Sequence, residues 1–104
     1  MLFQLTMFPT TKKNKNASSS AAVARVIDII DKSGLPYKLG PMSTTIEGGW
    51  DEVMAVINKA RLSLRRTHDR IYISITVDDR KRARGRITGK IASVEKQLKR
   101  EVST

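Results

Sequence analysis

A chain of 104 residues, 39% hydrophobic and 29% charged, is the size of one domain, with apolar material for a modest core and no compositional mark of disorder. The absence of cysteine excludes disulfides, thiolate chemistry and cysteine-ligated metal from the chain itself. No apolar run approaches the roughly 20 residues a membrane-spanning helix needs, so the expected location is cytoplasmic. The formal charge of +10 is uneven: from Lys59 onward 14 Lys or Arg face 5 Asp or Glu, against 6 and 5 before it. Such asymmetry favours an anionic partner without identifying one.

The first segment alternates, with Phe3, Leu5 and Met7 on one side and Gln4 and Thr6 on the other, which predicts a strand from Met1 to Pro9. The polar, basic run TTKKNKNASSS follows, and a flexible loop is expected over residues 10–19, with Ser18, Ser19 or Ser20 capping the next helix. Between Ala21 and Lys32, Val23, Val26, Ile27 and Ile30 recur at helical spacing, and Gly34 provides the stop. Leu35 to Met42 and Ser43 to Glu47 read as two short strands joined by a tight turn near Gly40-Pro41-Met42.

Gly48-Gly49 then breaks the chain before a second helix that begins at Trp50, with Asp51 and Glu52 suited to its positive end. Val53, Ile57, Ala60 and Leu64 form its apolar stripe, while Lys59, Arg61, Arg65 and Arg66 stay wet. The clearest strand is Arg70 to Asp79: Ile71, Ile73, Ile75 and Val77 share one face, and Tyr72, Ser74, Thr76 and Asp78 the other. A third amphipathic helix, from about Thr88 to Glu101, carries Ile91, Val94 and Leu98, with Ile87 extending the stripe. The order β-α-β-β-α-β-α predicts an α+β domain spanning 1–104: a ferredoxin-like βαββαβ sandwich with an additional C-terminal helix. Two helices then cover one sheet face, and Gln4, Thr6, Tyr72, Ser74 and Thr76 line the other, which suits solvent, a partner subunit or a polar ligand held between subunits.

Few residues carry chemistry. Glu47, at a strand end beside Thr44, Thr45 and the glycine pair, can accept from a ring nitrogen or amino group of a small cation, or pair with a nearby Lys or Arg. Trp50 can stack on a heteroaromatic ring or pack against its own helix. The run Arg80-Lys81-Arg82-Ala83-Arg84-Gly85-Arg86 is the strongest anion-binding signal, with Arg80, Arg82, Arg84 and Arg86 as candidate contacts; solubility or a subunit salt bridge is the alternative. His68 is the single histidine and reads as a solvated loop residue, no metal-ligand spacing occurs, and no cofactor motif is present. The serines lack a His–Asp arrangement, so a binding protein requires fewer assumptions than an enzyme.

The segment SGLPYKLGPMSTTIEGGWDEVMAVINKA, followed by Asp69-Arg70-Ile71, Val77-Asp78-Asp79-Arg80 and Lys90-Ile91-Ala92-Ser93-Val94-Glu95, resembles the MTH1187-type thiamine-binding family, also called UPF0045 or DUF77. Gly40 to Gly48 is the most specific portion. The resemblance implies a ferredoxin-like subunit assembling as a homodimer or homotetramer, and non-catalytic binding of thiamine, hydroxymethylpyrimidine or a related heteroaromatic metabolite. It also implies that Thr44 and Thr45 supply hydroxyls and Glu47 the acidic group for an aminopyrimidine or cationic ligand. The chain departs from the family pattern after Pro9, where no glycine-containing turn occurs, and in its heavier basic stretch. The alternatives are nucleic-acid or other anionic-partner binding through residues 80–86 and, third, a small enzyme acting on a phosphate-bearing metabolite.

Overall fold

A computed structural model describes residues 1–10, 19–82 and 84–104, together with the backbone but not the side chain of Ser19. The expected loop over 10–19 and a cap at Ser18 therefore lie almost wholly outside the described residues. The elements are β1 (Leu2–Pro9), α1 (Ser19–Lys32), β2 (Tyr37–Leu39), β3 (Thr44–Glu47), α2 (Trp50–Arg65), β4 (Ile71–Asp78) and α3 (Arg86–Leu98). Their strands form one antiparallel sheet in the order β2-β3-β1-β4, the ferredoxin-like arrangement with one added helix. Among the described residues, no helix is long and apolar enough to cross a membrane.

Alternation along β1 divides the sheet. Phe3, Leu5 and Met7 are buried against α1 and α2, with Ile46 of β3 beside them. The stripe Val53, Ile57, Ala60 and Leu64 supplies the α2 side of this core, as its spacing predicts. Ile71, Ile73, Ile75 and Val77 close it from β4.

Helix α1 turns most of its valine and isoleucine stripe inward, with Val23 the exception. Ala22, Val26 and Ile30 are buried, whereas Val23 is exposed and Ile27 only partly covered. Val23 and the outer side of Ile27 border a groove toward Leu39 of β2, and this edge strand of three residues is too short to cover them. The expected strand Leu35 to Met42 shrinks to Tyr37–Leu39 because Gly40 N–H bonds the Ser43 carbonyl at 2.8 Å and closes the turn early. A Cβ at Gly40 would stand 2.9 Å from that same oxygen, so the turn admits no side chain there.

Candidate ligand-binding site

The face of the sheet away from α1 and α2 is organised in cross-strand rows. Antiparallel register places Glu47, Leu2 and Asp78 side by side across β3, β1 and β4, and Thr45, Gln4 and Thr76 in the next row. Leu2 is buried although it falls on the otherwise polar side of β1, because α3 crosses this end of the sheet.

Two carboxylates hold α3 there. Glu47 accepts from the Arg86 amide with both carboxylate oxygens, at 3.1 Å each, and from the Ile87 amide at 3.4 Å. It thereby satisfies the first N–H groups of α3 and places a negative charge at the helix's positive end. Gly85, at φ +63°, supplies the left-handed residue that turns the chain into the helix. On the other side of Leu2, Asp78 Oδ2 lies 2.8 Å from Lys90 Nζ and 2.9 Å from Arg86 Nη1. The hydrogen bond from Lys90, aided by the positive charge of Arg86 and Lys90, holds the Asp78 carboxyl below the usual carboxylate range against the opposing cost of desolvation. These contacts start α3 at Arg86, two residues before the position its apolar spacing suggests, and Lys99 in the left-handed conformation ends it.

Between α3 and the two rows lies a cavity of about 350 Å³. Its polar lining includes Gln4, Thr45, Thr76 and Asp78, and Leu2, Ile87 and Ile91 supply apolar surface. Gln4 Nε2 donates to Ser43 Oγ at 3.1 Å, which orients the amide along the sheet. A concavity of about 410 Å³ adjoins it, lined by Arg80, Lys81, Arg82, Arg84, Arg86 and Lys90. A larger depression of about 890 Å³ lies between the basic loop, Tyr37 and Gly48, with Glu47, Glu52 and Asp79 mixed among its cations.

The residues singled out from sequence do not converge on one point. Thr45 lines the cavity under α3, whereas Thr44 is buried on the helix-covered side, because neighbouring residues of a strand face opposite ways. The Glu47 carboxylate is occupied by the α3 amides and borders the 890 Å³ depression. Trp50 is half exposed at the start of α2 and packs against the core residue Phe3, ring centroids 6.0 Å apart. Arg80, Arg82, Arg84 and Arg86 share the cationic concavity, and Arg86 reaches the cavity under α3 as well. His68 sits after α2, its Nδ1 2.9 Å from Thr67 Oγ1, and no metal-ligand cluster occurs among the described residues. Asp78 and the pair Ile87 and Ile91 were not singled out from sequence as site residues. The off-phase Leu2 and the i, i+4 spacing of the isoleucines were the available signals that this end of the sheet is covered.

Fold and site together define a ferredoxin-like α+β protein whose second sheet face carries a helix-lidded, semi-polar cavity. The chain belongs to the thiamine-binding protein family, whose model matches residues 3–95, and that family is one of binding proteins rather than of enzymes. The UPF0045 protein Mb1933 of Mycobacterium bovis is 34% identical over 97 residues, covering 92% of this chain and 95% of that protein. The UPF0045 protein MJ1052 of Methanocaldococcus jannaschii is 29% identical over 80 residues, covering 77% and 80%. The crystal structure of MJ1052 superposes with a TM-score of 0.78 at 26% identity over 89% of this chain and 93% of the other. A putative thiamine biosynthesis/salvage protein, TM0486 of Thermotoga maritima, shares the fold with a TM-score of 0.76 at 20% identity, over 89% and 96%.

Proposed function

We propose that the protein binds thiamine, hydroxymethylpyrimidine or a related small heteroaromatic metabolite without transforming it, and that it does so as a homo-oligomer in the cytoplasm. The observation that carries this reading is the cavity under α3. Its 350 Å³ falls within the roughly 300–1,000 Å³ typical of small-molecule sites, and it joins apolar walls to a few directed polar groups, as a planar ring with polar substituents requires. The larger depression is a poorer match, because charged side chains of both signs are mixed along its rim.

In this reading Leu2, Ile87 and Ile91 cover the faces of the ring. Thr45 and Thr76 hydroxyls and the Gln4 amide oxygen bond its edge, and Asp78 offers the carboxylate for an amino group. Glu47 acts one step removed, by holding α3 over the site. Membership of the thiamine-binding family supports the ligand class. Calorimetric titration of the intact protein with thiamine and with hydroxymethylpyrimidine tests it. Thr45→Val and Thr76→Val each remove one hydroxyl at constant shape, and a lost hydrogen bond predicts roughly 3- to 10-fold weaker binding per substitution. Unchanged affinity in both variants would place the ligand elsewhere.

A further inference from the structure

The cavity under α3 and the cationic concavity are neighbours with a common wall: Arg86 and Lys90 line both. Six cations, Arg80, Lys81, Arg82, Arg84, Arg86 and Lys90, surround the concavity, and among the described residues no carboxylate enters its lining. Asp78 lies behind this wall and binds Arg86 and Lys90, but Arg80, Lys81, Arg82 and Arg84 make no such pairing with it. So dense a set of like charges creates a positive field that attracts an anion of more than one charge.

Two further features shape the concavity. Arg86 Nη1 is buried in the shared wall and paired with Asp78 Oδ2 at 2.9 Å, which fixes the guanidinium between the two spaces. The floor is also open: Gly89 and Ser93 line the concavity, and a Cβ at Gly89 would meet nothing within 4 Å. The attraction comes from side chains and not from the end of α3, whose first amides are already taken by Glu47.

We propose that the concavity is a phosphoryl-binding subsite, and that the ligand is a phosphate ester of a heteroaromatic compound whose ring occupies the cavity under α3 and whose phosphoryl group extends past Arg86 and Lys90. The inference rests on the ring-cavity reading given above. A phosphomonoester carries about −1.5 to −2 charge and three acceptor oxygens at neutral pH, which suits several arginine forks at once.

The test is calorimetric titration of the full chain with thiamine, thiamine monophosphate and thiamine diphosphate in phosphate-free buffer, on the parent and on the Arg82→Gln, Arg84→Gln double variant. Both arginines are exposed loop residues, so the variant keeps the core intact. The expected result is that the phosphorylated compounds bind the parent at least about tenfold tighter than thiamine, as one or two charge-assisted hydrogen bonds supply. The double variant should lose that gain while its affinity for thiamine stays the same. Equal affinity for all three compounds on the parent overturns the subsite and leaves the ring cavity standing. Failure of all three to bind removes the ring-cavity reading and the subsite with it. Tighter binding of a single-stranded oligonucleotide, weakening steeply with salt and with the double variant, overturns the subsite in favour of a nucleic-acid surface.

Discussion

At Gly48 the missing side chain is a steric requirement. A Cβ there would stand 2.9 Å from Val53 Cγ2 and 3.4 Å from Leu35 Cδ2, and Val53 is fully buried in the first turn of α2. Gly48→Ala should therefore destabilise the fold by about 1–3 kcal/mol, the usual cost of overfilling a well-packed site, measured by urea denaturation with an unchanged m-value. The neighbouring Gly49 has φ −73°, which any residue adopts, and as the N-cap of α2 its exchange for serine serves as the control. From sequence the pair reads as one flexible break; only the approach of Leu35 and Val53 separates the two roles. The same holds for Thr44 and Thr45, equivalent as letters but on opposite sides of the sheet.

At the scale of the element, α3 is fastened at one end. None of its residues is buried, Val94 and Leu98 are about half exposed, and its described side-chain ties to the sheet are Glu47 at the amides and Asp78 at Arg86 and Lys90. Docking should consequently depend on charge more than on apolar area. Asp78 titrates below the ordinary carboxylate value of about 3.9. Its contribution is therefore complete above that value and is lost as pH falls through its own lower pKa. Methyl NMR of Ile87 and Ile91 should show α3 loosening from the sheet in that acidic window while core methyls such as Ile46 and Ile57 hold. Glu47→Ala should loosen the helix already at neutral pH, at a cost near the ~1 kcal/mol of losing a helix cap. Signals from Ile87 that remained unchanged in Glu47→Ala would show that the apolar contacts alone dock the helix.

Over the whole molecule, one sheet face is covered by two helices and the other only at one end. Beyond α3 the open face carries Phe8 and Tyr72, stacked with centroids 5.2 Å apart and 38% and 53% exposed. A pair of exposed aromatic rings beside polar rows is a surface suited to a second subunit. Under the proposed assembly, light scattering should give a mass that is a multiple of the 11.6 kDa chain, and Tyr72→Glu should shift it toward that single-chain mass without altering the circular dichroism spectrum. A parent that runs as a single chain would assign the aromatic pair another role.

The sequence by itself determined the order and type of the elements, because periodicities of 3.6 and 2 are written in local spacing: the α2 stripe and the alternation of β1 and β4 are legible residue by residue. It also carried the family, through the Gly40 to Gly48 segment and its flanks. The tertiary structure alone decided which side chains meet. Register across three strands brings Glu47, Leu2 and Asp78 into one row, although more than 70 residues separate the last two, and that row seats α3. With α3 seated, Thr45, Gln4 and Thr76 line a cavity, Glu47 is committed to the helix, and the basic run opens beside the cavity's wall. Local spacing contains none of these proximities, since they arise from hydrogen-bond pairing between strands far apart in the chain.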